Sequence, residues 1–563
     1  MAKRRQEPSN PGPNSGPKRF EGYADQQKSQ AEPTTRPSDE VETDVELRLA
    51  NPNRVATNSA PSPTARRPAT SGKTDWRGAP RAGRALHKTE PQEEPTADRS
   101  EDQDEPVAGR GRRRDSDKSR SFVARVAPLE IGDGGCVLQG WEGRLSLSGA
   151  VPGERVNVEV FERDRGYRQV NLLEIVERSP DRVRPPCVIT ELCGGCAFQE
   201  MAYTAQLEAK HVSLLQHLDG LCDPSQVGPV RGLTRSTGYR TRLLMPAAPR
   251  STRPGDIELG FYRQHTNELI AATGCPVQHP LTLAVLAMVH QVLRASNMQA
   301  STTRRGDNGW LHGVSIRVDP AGESTELVLI GRTHKVPGGE VLVERLASLP
   351  TVNGVHLTTN PERSSYLYGE DFSPLAGSKR TIFHLGGETF HLSPGSFFQT
   401  SAEGAEKLVS TVLELLPEAF DCLADLYGGV GVFARLTRHR WRRAVVAESN
   451  PRAVEDLRHF LKHVGLKGLH VVNGRVEETL EHSLKHRPDV VLLDPPRGGC
   501  APQAIQGLLE HDAPVLLYVA CGLKSFVRDA ALLIEGGYLL VRVESVDMFP
   551  HTSHLEVVAR FER

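Results

Sequence analysis

No stretch of this 563-residue chain approaches the ~18–20 consecutive apolar residues of a membrane span, and the polar start, Met1 to Asn10, has no apolar signal-peptide segment. The expectation is a cytoplasmic protein without a membrane partner. Neither sign of charge is in excess: 69 Lys+Arg against 70 Asp+Glu leave a formal charge of −1. That balance excludes a globally basic nucleic-acid coat, so any RNA site must be a local patch. Cysteine is sparse, nine in all, an odd number with no dense framework. A disulfide-stapled scaffold is therefore excluded, and clustered thiols read as metal ligands or nucleophiles. At about 150 residues per domain the length allows three to four domains.

Residues 1–120 lack cysteine altogether and hold three aromatics, Phe20, Tyr23 and Trp76, amid Pro, Ser, Arg and Glu. Such a segment cannot bury enough surface to fold and reads as a disordered polar tail. Its basic stretch Gly109–Asp115 reads as solvated chain or as an arginine-rich arm for RNA. From 121 to 180 short alternating segments separated by turn clusters suit a small five-stranded β-barrel. From 181 to 385, after a helical stretch near 201–220, strands dominate. From 386 to 563 apolar strands alternate with amphipathic segments, the pattern of a mostly parallel sheet with crossover helices.

Five motifs carry chemistry. Asp425-Leu-Tyr-Gly-Gly-Val-Gly431 directly follows an apolar strand, and Glu448 lies 17 residues past Gly431 at the end of the next strand. Glycines at a strand-to-helix turn admit a ligand to the backbone, and an acid at that spacing suits a ribose, which places a nucleoside cofactor at the carboxyl edge of the sheet. A third strand runs into Asp494-Pro-Pro-Arg-Gly-Gly499, and the cation Arg497 stands where amino-directed nucleic-acid methyltransferases carry an aromatic. A fourth strand ends at Cys521, a position suited to a nucleophile, although a lone cysteine is more often a packed small hydrophobe. The segment Val546 to Glu556 supplies Asp547, two histidines and Glu556 as acid/base candidates. Finally Cys187, Cys193 and Cys196, with spacing C-x5-C-x2-C, and the distant Cys275 suit an iron–sulfur cluster or a tetrahedral zinc.

Further motifs occur in collinear order: Val151-Pro-Gly-Glu-Arg-Val156, Cys193-Gly-Gly-Cys196, Gly238-Tyr-Arg240, Leu259-Gly-Phe-Tyr-Arg263, Cys275-Pro-Val-Gln-His-Pro280 and Ser393-Pro-Gly-Ser-Phe-Phe-Gln399. On these residues, from about 121 to 563, the chain resembles the bacterial S-adenosylmethionine-dependent RNA uracil-C5-methyltransferases. It is most similar to the iron–sulfur-containing 23S ribosomal RNA type with an N-terminal TRAM barrel. The resemblance implies a multidomain α/β fold: an OB-like TRAM barrel over 121–180, a mostly β central domain with the cysteines over 181–385, and a Rossmann-like methyltransferase domain over 386–563. It implies that Gln399, Tyr427, Glu448 and Asp494 line the S-adenosylmethionine pocket, that Cys521 is the nucleophile and Glu556 the general base. Cys187, Cys193, Cys196 and Cys275 would hold a [4Fe–4S] cluster. The implied partner is structured RNA, ribosomal ahead of transfer RNA, acted on by a monomer. A non-catalytic iron–sulfur RNA-binding protein is the alternative of a different class. The sequence departs from the family at Gly428, usually Cys, at Thr400-Ser401, usually Val-Asn, and at Gly522, usually Asn. Arg475 aligns with a cofactor-contacting Asn and is left out of the site.

Overall fold

The structure, a computed structural model, describes residues 119–127, 136–138, 145–163, 167–264, 266–301, 309–361 and 367–563. Up to residue 118 the expected polar tail, with its basic stretch, lies outside the described residues, and its last two residues, Ser119 and Arg120, instead open a strand. At the start of the described chain, strands Ser119–Arg125, Arg155–Arg163 and Tyr167–Glu177 form an antiparallel sheet, and Cys136–Val137 pairs with Ser146–Leu147. Five short strands thus surround one apolar core that includes Val126, Leu138, Leu147, Val156 and Val158. Glu154, from the Val151–Val156 motif, is buried there. It accepts the Val151 amide at 2.9 Å and is gripped by Arg182 at 2.5 and 2.8 Å, which offsets the cost of burying its charge.

Seven strands between Arg242 and Gly377 form a second, mixed sheet, with the helices Pro280–Ala295 and Gly339–Ala347 packed on it. Its central strands Leu311–Asp319 and Ser324–Gly331 are buried along their whole length.

The third sheet positions the site. We number its principal strands β1 (Phe420–Leu426), β2 (Trp441–Glu448), β3 (Leu469–Asn473), β4 (Val490–Leu493), β5 (Val515–Ala520), β6 (Leu539–Val546) and β7 (Glu556–Glu562). They lie in the order β3-β2-β1-β4-β5-β7-β6, with Val227–Arg231 added as an edge strand parallel to β6. β3 to β5 are mutually parallel, and β7 inserts antiparallel between β5 and β6. β4 and β5 are continuous apolar runs, and β1 is buried from Cys422 to Leu426, because helices cover both faces, which leaves no solvated side to alternate toward. Those helices are α1 (Ala402–Leu415), α2 (Val432–Leu436), α3 (Pro451–Val464), α4 (Val476–Leu484), α5 (Pro502–His511) and α6 (Leu523–Glu535). Local signals mark their ends: Ser401 caps α1 through the Gly404 amide, Asn450 caps α3 with Pro451 at its first position, and left-handed Gly465 closes it. No helix of the described residues is long and apolar enough to cross a membrane.

Candidate active site

The carboxyl ends of β1, β2, β4 and β5, together with the start of β7, form one edge, and of the expected residues Tyr427, Glu448, Asp494, Cys521 and Glu556 stand on it. At the tip of β1 the chain turns sharply. Tyr427 takes φ 62°, Gly429 φ 57° and Gly431 φ 75°, the last leading into α2. The Gly429 amide donates to Glu448 Oε2 at 2.9 Å, and the Asn450 amide to Oε1 at 2.6 Å, so the turn and the acid of β2 form one unit. A side chain at Gly428 would meet Val446 and the Asp425 carboxyl within 3.0 Å. The glycine in place of the family's cysteine is thus matched to its neighbours here.

Asp425, fully buried at the end of β1, was not singled out from the sequence, although it opens the quoted loop. It accepts the Ala434 amide at 3.1 Å. Burial, then the nearby Asp494 and Glu448, push its carboxyl up to about 7. Asp494, just past β4, is likewise pushed up to about 7 by burial and by Glu448. Asp425 and Asp494 therefore resist ionisation in a region they share with Glu448, a setting that a cationic ligand would relieve. S-adenosylmethionine, a sulfonium, matches that charge pattern, and the Gly429–Glu448 unit suits its ribose. Gln399 is half-buried between the apolar Phe398 and the α1 cap. Tyr427 points elsewhere: its hydroxyl faces Cys500, Glu477 and the Ala501 backbone, so its left-handed backbone, not its phenol, shapes the turn.

β5 ends at Ala520, which pairs with Val557 of β7, so one further step of the antiparallel register sets Cys521 opposite Glu556. Electrostatics agree. Cys521 is pushed up to about 11 by burial first and then by Glu556 and Asp494, and Arg497 pulls it back. Glu556, 7% exposed, is pushed up to about 8 by burial and Asp494, again opposed by Arg497. Thiol, carboxyl and guanidinium thus face a common space. Arg497 also lies 3.3 Å from His554 Nε2, which burial, helped by Arg497, Lys210 and Arg240, pushes down to about 4, so that this imidazole is neutral. A Cβ at Gly522 would overlap the Arg497 carbonyl oxygen, which also accepts the Ser525 hydroxyl at 2.7 Å. The departure from Asn at Gly522 is therefore the close packing of the Asp494–Gly499 loop on the Cys521 turn. Arg475 sits at the exposed start of α4, paired with Glu477 at 2.5 Å.

The four cysteines outside this edge share a neighbourhood. Cys196 is pushed up to about 12 by burial and then by Cys275, Cys193 and Cys187, and Cys275 is raised by burial and by Cys187 and Cys193. Cys196 and Cys275 pack with Leu233, Tyr239 and Val277. The donor chemistry is that of a thiolate-ligated centre, but among the described residues no group of three or more Cys, His, Asp or Glu stands in metal-ligating geometry. Sequence reasoning also missed Lys210 and Gln206, on the helix Tyr203–His217, because a buried polar residue carries no periodic signal.

No protein-family model matches the chain. It is 33% identical over 415 residues to an uncharacterized RNA methyltransferase of Nostoc, covering 73% of this chain and 89% of the relative. It is 34% identical over 434 residues to one of Gloeobacter violaceus (74% and 91%) and 31% identical over 426 residues to one of Listeria innocua (74% and 92%). Among solved structures, the Pyrococcus abyssi tRNA (uracil-54, C5)-methyltransferase, crystallised with S-adenosyl-L-homocysteine, superposes with a TM-score of 0.62 at 24% identity. The match spans 78% of this chain and 99% of that one, a likeness of fold. By these relatives, and with a sheet edge built as above, the chain belongs to the RNA methyltransferase family.

Proposed function

We propose that the chain transfers a methyl group from S-adenosylmethionine to C5 of a uridine in RNA through a covalent bond between Cys521 and C6. The observation that carries this reading is the placement of Cys521 opposite Glu556 at the end of β5, with Asp494 and Arg497 at the same point. Gln399, Tyr427, Glu448 and Asp494 are assigned to the cofactor pocket, Tyr427 through its backbone.

Uracil C5 is a poor nucleophile. Cys521, as thiolate, bonds to C6, the C5–C6 electrons move onto the O4 enolate, and C5 becomes able to attack. Arg497, the cation facing Cys521, favours the thiolate. Bound S-adenosylmethionine supplies an electrophilic methyl group at the edge where the acids gather. Glu556, ionised, then takes the C5 proton; the C–H pair restores the C5–C6 double bond, and sulfur leaves C6 as the Cys521 thiolate. The base must be unstacked to present both faces, and the N-terminal strands and central sheet are assigned to holding the RNA meanwhile.

Ribosomal RNA is the substrate class implied by the resemblance. Transfer RNA is a second reading, favoured by the fold neighbour, whose name specifies uracil-54 of tRNA. Cys187, Cys193, Cys196 and Cys275 are assigned to a [4Fe–4S] cluster on their donor chemistry and proximity, and no step of the reaction runs through it.

The test is trapping. RNA containing 5-fluorouridine has no C5 proton to lose, so after methyl transfer it should remain bonded to the protein on a denaturing gel. The reading requires a band that depends on S-adenosylmethionine and on Cys521; a band retained in Cys521→Ala would contradict it.

A further inference from the structure

Glu556 is the first residue of β7, paired with Val546 of β6 but one step beyond the last pair with β5, so the direction of its carboxyl also depends on the loop before it, Phe549–Leu555. That loop is gripped carbonyl by carbonyl from residues 197–239. The Pro550 carbonyl accepts the Tyr239 hydroxyl at 3.1 Å. The His551 carbonyl accepts the Ala197 and Phe198 amides at 2.9 and 3.1 Å, immediately after Cys196. The His554 carbonyl accepts Lys210 Nζ at 2.9 Å, and the same ammonium bonds Asp547 at 2.8 Å. Gln206 accepts the His551 amide at 2.8 Å and donates to the Phe198 and Met201 carbonyls. His551 holds φ 66°, a left-handed conformation that a non-glycine residue keeps only when its surroundings over-determine it. Tyr239 itself is packed against Cys196 and Cys275.

We propose that Tyr239 and Gln206 are positioning residues for Glu556, so that the thiol-bearing segment sets the rate at which the C5 proton is removed without taking part in methyl transfer. The inference rests on the roles of Cys521 and Glu556 proposed above. Its logic is kinetic. Bond formation at C6 and methyl transfer depend on Cys521 and the cofactor edge, with which, among the described residues, the Tyr239 hydroxyl and the Gln206 amide make no hydrogen bond; the loop meets Arg497 through His554, away from the Pro550 and His551 contacts of Tyr239 and Gln206. Loss of the C5 proton to Glu556, with return of the C–H pair to the ring and departure of the Cys521 thiolate, depends on the aim of one carboxyl.

Tyr239→Phe keeps the ring in the cluster against which Cys196 and Cys275 pack and removes the bond to Pro550. The full-length protein is mixed with unmodified ribosomal and transfer RNA and methyl-labelled S-adenosylmethionine, quenched in detergent at intervals, and the labelled protein–RNA band is followed, with Glu556→Gln alongside. The expected result is a band that forms at the wild-type rate in Tyr239→Phe but decays about tenfold more slowly, a fraction of the ~10²–10⁴ that a positioned base contributes. In Glu556→Gln the band should persist, and adding Tyr239→Phe should slow it no further. Wild-type decay in Tyr239→Phe, or equal slowing of formation and decay, would overturn the inference while leaving the function standing. A Glu556→Gln protein that forms no band would overturn both.

Discussion

Replacing Glu556 by glutamine should stabilise the folded chain at high pH while stopping turnover. The carboxyl is raised from 4.5 to about 8 by burial and by Asp494. The folded state therefore holds its proton more tightly than the unfolded chain does. The resulting penalty is absent below pH 4.5, grows as the pH rises toward 8 and is complete above it. At about 1.36 kcal/mol per pH unit the whole shift corresponds to at most ~5 kcal/mol. Part of that is repulsion shared with Asp494, and the amide must itself find partners at a cost of ~1 kcal/mol, so roughly 2–3 kcal/mol of stabilisation is expected at pH 9. For a chain of this size that is about 2–3 °C in Tm. Thermal unfolding of both proteins from pH 5 to pH 9 is the assay, with near-equal melting at the acid end. A Tm difference independent of pH, or a less stable variant at pH 9, would refute the burial argument and with it the picture of an acid held in an unfavourable site for its chemistry.

Turnover should itself rise with pH. Glu556 and Cys521 must both be ionised and are raised to about 8 and about 11, so kcat/KM should climb between pH 6 and pH 9, whereas an optimum at or below pH 6 would contradict these assignments. Gly522→Ala should cost ~1–3 kcal/mol and lower kcat, because its Cβ would overlap the Arg497 carbonyl and lie 2.8 Å from Ser525 Oγ; unchanged melting and kinetics would show the two loops to be less tightly packed. Lys210→Met should cost ~3–5 kcal/mol in unfolding free energy, since Lys210 and Asp547 are both fully buried and the acid would be left alone. The double variant Lys210→Met/Asp547→Leu should recover much of that loss.

Much of the sheet and its edge was legible in the sequence. β4 and β5 announce themselves as short apolar runs, and β1 as a mainly apolar one broken by Asp421 and Asp425; they end in Pro-, Cys- and Gly-marked turns, and each places a motif at the carboxyl edge. The pairing of Cys521 with Glu556 was legible as two residue types but not as a geometry, because it depends on β7 inserting antiparallel beside β5, which periodicity does not encode. Asp425 stood in a quoted motif and went unremarked because a lone acid at a strand end gives no sign of how deeply it is buried. The bonds from Gln206 to His551, 345 residues apart, leave no local trace at all. Tyr427 is named by its place in the Gly-rich loop, but that its backbone is left-handed and its phenol faces Cys500 is a matter of geometry the motif does not spell out. The departures at Gly428 and Gly522 look like losses in sequence, yet in the fold each is a point where a neighbour occupies the space of a side chain.

The central claim is uridine C5 methylation through Cys521. Its most direct test is incubation of separated unmodified ribosomal and transfer RNA with the full-length protein and methyl-labelled S-adenosylmethionine, followed by nucleoside mass analysis, with Cys521→Ala in parallel. The account predicts labelled 5-methyluridine in one RNA class and none with the variant. Label in a different nucleoside, or 5-methyluridine formed equally by Cys521→Ala, would contradict it.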